Sequence, residues 1–294
     1  MTITMELEVI TPARAEAMLG CNTRNRHLGS PTVNNYARMM KEGNWILNGD
    51  AIRFAVDGTL LDGQHRLAAC ILANLPLTTW VGRGFPVEAQ MTMDAQRKRT
   101  AGDVLTIEGF HGGNVLASIV RMVYRWERGQ RNLFGFGGAE NNLTTLEVVQ
   151  RVQDDKDELY ITAAKQAGRA GIKKMATPKS VGAFFVLASR VDPERAQVFF
   201  DRLDSDVDHH KGSPILTLRR NWSRLNNDKG RTSTPGVYLM GGVRCWNAWM
   251  AGRSLEAVVW KDPNIPELIS SRRRRNAPPL PLAEGEKEIV EETG

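Results

Sequence analysis

Cysteine is scarce in this chain. Cys21, Cys70 and Cys245 are the 3 cysteines of 294 residues, odd in number and far apart. That spacing excludes a disulfide framework and a paired-cysteine zinc cluster, and it fits a reducing compartment. Long apolar runs are also lacking: the stretch from Val181 to Ala188 is far short of the roughly 20 residues that span a bilayer. The opening residues Met1 to Glu6 carry no basic segment followed by an apolar core, so no secretory leader is expected. Acidic residues are the minority charge, 33 against 39 lysines and arginines. These shortages predict a cytoplasmic protein without a membrane partner.

What is present is ordinary globular material, 41% hydrophobic and 24% charged, in a length that suits one large domain or two ordinary ones. The net charge of +6 and a pI near 9.4 allow a polyanionic partner. Much of the excess is clustered arginine: Arg24 and Arg26; Arg97-Lys98-Arg99; Arg219 and Arg220; and Arg272, Arg273, Arg274 and Arg275. Each group alone is accounted for as solvated charge. Together they favour nucleic acid or nucleotide phosphate over an acidic protein.

The hydrophobic period divides the chain. Residues 1–105 read as mixed α and β, with a helix opened by Pro12 behind a Thr11 cap and a second helix over Thr32 to Glu42. Ala51 to Val56 and Thr59 to Leu61 read as strands joined by an Asp57-Gly58 turn, followed by a helix over Gln64 to Ala73, a strand over Leu77 to Arg83 and a helical turn over Val87 to Met93. Residues 106–265 read as helical throughout, with helices over Asn114 to Arg128, Thr144 to Gln153, Glu158 to Ala167, Pro178 to Ser189, Pro193 to Leu203, Ile215 to Leu225 and Thr234 to Ala251. Trp222, Trp246 and Trp249 belong on core positions of that bundle. No internal repeat is visible, and residues 266–294 read as a disordered tail, basic and then acidic. The fold class predicted is α+β, a small mixed sheet followed by a mostly α-helical domain.

The chemistry concentrates at Asp62-Gly63-Gln64-His65-Arg66, where a short strand turns directly into an apolar helix. A helix start offers unbonded N–H groups and the positive end of the dipole, so it favours an anion. Gly63 lets backbone approach a ligand, and Arg66 has the fork that matches a phosphate. Asp62 is a candidate metal ligand or general base, and His65 a candidate proton carrier. An ordinary Asp-Gly turn leading into a solvated first helical turn is the plainer account. Against it stands Arg66, a cation in a first turn that opposes the dipole unless an anion is bound.

The region from Asn22 to about Trp80 resembles the N-terminal domain of the ParB/sulfiredoxin superfamily, particularly variants whose signature reads Asp-Gly-Gln-His-Arg. Asn22-Thr23-Arg24-Asn25-Arg26, a helix, a strand pair and then the Asp62 to Arg66 turn follow the order of elements in that superfamily. Met93-Asp94 with Arg97 and Arg99, Pro214-Ile215, and Trp246-Asn247-Ala248-Trp249 extend the likeness to long phage and actinobacterial proteins with a ParB-like nuclease domain. The resemblance implies a phosphate cradle at Gly63, Gln64, His65 and Arg66, closed by Arg24 and Arg26. It implies a nucleoside triphosphate, ATP or CTP, with Mg²⁺ as cofactor, and a role in phage or bacterial DNA metabolism. Two departures narrow it. No second arginine follows His65, so the ParB CTP switch is not reproduced, and Gln64 stands where sulfiredoxin has its catalytic cysteine. Cys70, six residues on, is expected to face the core.

Three functions stay open at this level. One is an NTPase or phosphotransferase using Asp62 and His65, with Asp62 on the metal. A second is a DNA-binding protein without turnover, its track extended by Arg97, Lys98, Arg99 and Arg272 to Arg275. The third is a metal-dependent nuclease drawing on Asp206, Asp208, His209 and His210, or on Asp62 with His65. DNA and a nucleotide are the expected partners, and a homodimer is left open.

Overall fold

The computed structural model describes residues 2–22, 25, 28–93, 99–131, 143–205, 210–227, 234–259 and 264–270. The chain divides into two compact units, residues 1–99 with 138–144, and residues 100–137 with 145–294. Among the described residues the architecture is α+β: a four-stranded mixed sheet in the first unit and helices alone in the second. No described helix is long and apolar enough to cross a membrane.

The first unit runs β1 (Thr4–Ile10), α1 (Pro12–Leu19), α2 (Ser30–Lys41), β2 (Ala51–Ala55), β3 (Leu60–Asp62), α3 (Gln64–Ala73) and β4 (Leu77–Phe85), then a 3₁₀ turn over Val87–Thr92. Pro12 fits the first turn of α1, and the Thr11 hydroxyl accepts the Arg14 N–H at 3.3 Å. The β2–β3 turn is closed by Asp57, whose carboxylate accepts the Thr59 N–H at 2.9 Å. Strand order is β1-β4-β2-β3, with β1 and β3 antiparallel to their neighbours and β2 parallel to β4. Ile10, Ile52, Phe54, Leu60, Leu77 and Val81 from the sheet bury against Met18 of α1 and Leu67 and Cys70 of α3. α2 covers α3 through Ala37, Ala69 and Ala73, small residues that let the two helices approach. Cys70 is fully buried, as its helical position required, and its thiol donates to the Leu75 carbonyl at 3.1 Å.

Two elements go beyond the sequence expectation. β1 is an edge strand whose alternate residues Met5, Leu7 and Val9 are exposed, as is Ile3 just before it, so its apolar pattern marks no core face. The short helix α4 (Ala101–Ile107) is opened by a capping box in which Thr100 and Asp103 bond each other's backbone N–H.

The second unit continues with α5 (Gly113–Glu127), α6 (Thr145–Gln153), α7 (Leu159–Ala167), α8 (Pro178–Val191), α9 (Pro193–Ser205), α10 (Pro214–Asn227) and α11 (Pro235–Met250). α8 is buried from Ser180 to Ser189 and forms the axis against which α5, α7, α9 and α11 pack. Phe184 of α8 centres an aromatic cluster with Phe199, Phe200, Trp222 and Trp246, ring centroids 5.4–6.5 Å apart. Trp222 and Trp246 are fully buried and Trp249 nearly so, which places all three in the core. The indole N–H of Trp222 donates to the Tyr238 carbonyl at 3.0 Å, so burial leaves no donor unmatched.

Candidate functional site

The Asp62 to Arg66 junction forms because β3 ends on Asp62 beside β2, and Gly63 then adopts φ +104° to turn the chain into α3. An ideal Cβ on Gly63 would lie 2.7 Å from Ile52 Cγ1 and 3.1 Å from Ile52 Cα. The missing side chain therefore admits β2 of the protein itself, where the sequence reading had assigned that space to a ligand.

Asp62 is the hub of the junction. Its Oδ2 accepts from Arg53 Nη1 at 2.8 Å and from Arg66 Nη2 at 3.0 Å, and its Oδ1 accepts from the Gly63 N–H at 2.6 Å. Arg53 faces Asp62 across the β2–β3 pair, while Arg66 reaches back from one helical turn along. The same Arg66 nitrogen also donates to the Ala51 carbonyl at 3.0 Å. Arg66 Nη1, by contrast, is buried and has no hydrogen-bond partner among the described residues. Among the described residues two guanidinium groups thus face one carboxylate, leaving one unmatched charge and one unmatched buried donor.

Gln64 and His65 turn toward the preceding loop. The buried Gln64 accepts from Asn22 Nδ2 at 2.9 Å, and His65 Nε2 accepts the Gly29 N–H at 3.1 Å. An Nε2 that accepts is unprotonated, so the ring carries its proton on Nδ1. Asn25 Nδ2 bonds Asn22 Oδ1 and the Leu60 carbonyl, both at 2.6 Å, and Gln90 Nε2 bonds Asn25 Oδ1 at 3.0 Å. The start of α3 is therefore fastened to Asn22 and Gly29, between which Arg24 and Arg26 lie in sequence, while Asn25 ties the same loop to β3 through the Leu60 carbonyl.

The remaining candidates divide by position. Arg24, Arg26, His27, Arg97, Lys98, Asp206, Asp208, His209 and Arg272 to Arg275 lie outside the described residues. Arg99, His111 and His210 are exposed. Among the described residues no three histidine, cysteine, aspartate or glutamate side chains gather into a metal site. Asp62 itself has both oxygens engaged, so it does not fit the role of a ready-made Mg²⁺ ligand.

No family model, curated protein or solved structure matches this chain.

Sequence reading missed Arg53, the second cation. Its signal was present: one charged residue inside Ala51-Ile52-Arg53-Phe54-Ala55, an otherwise apolar strand. Gln90 gave no signal. A cleft of about 570 Å³ in the same unit, bordered by Arg14, Cys21, Phe54 and Arg83, was also missed. Glu8 lies between Arg14 and Arg83, and the hydrogen bond from Arg83, more than the charges of the two arginines, holds its carboxyl below the usual range despite burial.

Proposed function

We propose that the first unit binds the phosphates of a nucleoside triphosphate at the β3–α3 junction, and that the protein acts with that nucleotide in DNA metabolism as an NTPase or phosphotransferase. The observation that carries this reading is the imbalance at Asp62: two guanidinium groups, one carboxylate, and the buried Arg66 Nη1 without a partner. An anionic oxygen is what satisfies such a donor, and a helix start adds to the attraction. The anchoring of Asn22 and Gly29 to Gln64 and His65 supports it further, because Arg24 and Arg26 lie between those anchors in sequence.

A bound triphosphate would supply the transferable phosphoryl group, and Mg²⁺ would arrive with it, since both Asp62 oxygens are taken. The chain's own part is to neutralise and position, which is most of what phosphoryl transfer demands. Asp62 holds the two guanidinium groups in place, and His65 Nδ1–H is the proton-bearing atom of its ring.

Calorimetry of the full chain with ATP, CTP, GTP and deoxynucleotides, with and without Mg²⁺, tests the proposal. Saturable binding that is lost in Arg66→Ala is the expected result. Wild-type affinity in Arg66→Ala, or no binding by any nucleotide, would overturn it. Because Arg66 also holds Asp62 and the Ala51 carbonyl, hydrogen exchange across α3 must show that the variant keeps its fold.

A further inference from the structure

A second basic site stands in the helical unit, independent of the nucleotide reading. A cleft of about 500 Å³ is lined by Gly171, Lys174 and Met175 from the loop before α8 and by Leu216, Arg219, Arg220 and Ser223 from α10. No carboxylate is among its described lining residues. The two contributing segments share that bias: 168–189 and 214–227 together contain Arg169, Lys173, Lys174, Lys179, Arg219, Arg220 and Arg224 among their Lys and Arg residues, and no Asp or Glu.

The distribution of partners separates this cleft from the rest of the unit. Arg169 is matched by Asp201 at 2.6 Å and Asp204 at 3.1 Å, and Arg151 and Arg190 share Glu127. Arg219 donates to the Leu203 carbonyl. Lys173, Lys174, Arg220 and Arg224 are exposed and form no ion pair among the described residues. Arg220 and Arg224 are one helical turn apart, about 6 Å along α10 at 1.5 Å per residue. The cations thus extend along the helix past the cleft, more than a single phosphate can use. Met175 and Leu216 give the cleft an apolar floor beside the charges, and the Ser223 hydroxyl adds a neutral donor.

We infer that this cleft binds the phosphodiester backbone of a nucleic acid, with Lys174 and Arg220 on phosphate oxygens. A string of unmatched cations fits a partner with regularly spaced charge, and contacts of this kind fix the partner's position without reading sequence. Glycine contributes here by allowing close approach of backbone: a Cβ on Gly171 would strike the Asp204 carbonyl at 2.3 Å, so the loop lies tight on the end of α9 and brings Lys174 to the cleft.

The test is fluorescence anisotropy of the full chain with a labelled random-sequence oligonucleotide, single- and double-stranded, across a salt series. Replacing Lys174 and Arg220 together by alanine should weaken binding at least tenfold near 0.1 M salt and lower the salt slope by about two, one per lost phosphate contact. The swap Lys174→Arg with Arg220→Lys keeps both charges and should restore the slope. Lys156→Ala with Lys211→Ala removes the same charge from outside the cleft and should leave the slope within about half a unit. Equal losses in the two alanine pairs would overturn the site in favour of diffuse charge. Binding unchanged in Lys174→Ala/Arg220→Ala, or displacement of the oligonucleotide by inorganic phosphate at low millimolar concentration, would also overturn it. Because the readout is oligonucleotide binding, it is unaffected by whether the N-terminal unit binds a nucleotide.

Discussion

Replacing Asp62 by alanine removes the one carboxylate between Arg53 and Arg66. It deletes two charge-assisted hydrogen bonds, at 2.8 and 3.0 Å, and a third from the Gly63 N–H at 2.6 Å. The side chains of Arg53, Asp62 and Arg66 are 28%, 22% and 12% exposed, so the cluster lies between a surface pair and a buried one. A surface pair is worth under about 1 kcal/mol, and removing one partner of a fully buried pair costs about 3–5 kcal/mol. An intermediate loss of about 2–3 kcal/mol is expected. At 1.36 kcal/mol per decade that makes local opening roughly 30- to 150-fold more frequent. Hydrogen exchange measured by mass spectrometry on peptides covering residues 51–73 reads this directly. The variant also leaves two unmatched guanidinium groups, so 50 mM phosphate should slow its exchange more than it slows the wild type's, by ligand linkage. Less than a threefold change in exchange would refute the claim that Asp62 organises the junction. Equal protection of both proteins by phosphate would refute the claim that the two arginines form an anion site.

Other consequences follow from the same geometry. Gly63→Ala should lower the unfolding free energy of the first unit by at least about 2 kcal/mol, because the left-handed φ and the contact with Ile52 both oppose a Cβ; urea denaturation of the full chain monitored at that unit checks it. Glu8 has its folded-state pKa held below the unfolded value of 4.5 by Arg83 and Arg14, so its contribution is present above about pH 4.5 and is lost as pH falls through the folded value. Glu8→Gln should flatten that acid-side loss, read as hydrogen exchange in β1 and β4 between pH 3 and pH 6. Thiol titration of the native protein should count one reactive cysteine, Cys21, and three in denaturant, since Cys70 and Cys245 are buried and desolvation raises both thiol pKa values. Prompt reaction of a second native thiol would contradict the packing of α3 or α11.

Local chemistry carried most of the element assignments. Pro12 with its Thr11 cap, the Asp57-Gly58 turn, and the prolines that open α8, α9, α10 and α11 each act within a few residues, and a sequence displays them directly. The helical period likewise set the core side of α5 and the burial of Cys70, whereas α8 is buried on every side and shows an apolar run in place of a period. β1 was missed although its signal was present, Met5, Leu7 and Val9 alternating with Thr4, Glu6 and Glu8; only the fold shows that these apolar residues, 46–59% exposed, lie on the outer side of an edge strand. α4 escaped although its signature, Thr100 with Asp103 three residues on, was present; seven residues are too few for a period to show.

The Asp62 to Arg66 run marked the place by itself: residue types alone concentrated charge, a glycine and a histidine at a strand-to-helix turn. What those side chains touch was decided by the fold. Antiparallel pairing set Arg53 across from Asp62, a partner nine positions away whose role no local pattern announces. The close approach of Ile52 explains why only glycine fits at position 63, and the return of the loop explains why Gln64 and His65 point to Asn22 and Gly29, 42 and 36 positions earlier. Sequence fixes which groups are available and where the backbone turns, because those depend on neighbours along the chain. Which charges meet, and which donor is left unmatched, depends on segments distant in sequence, and only tertiary packing brings them together.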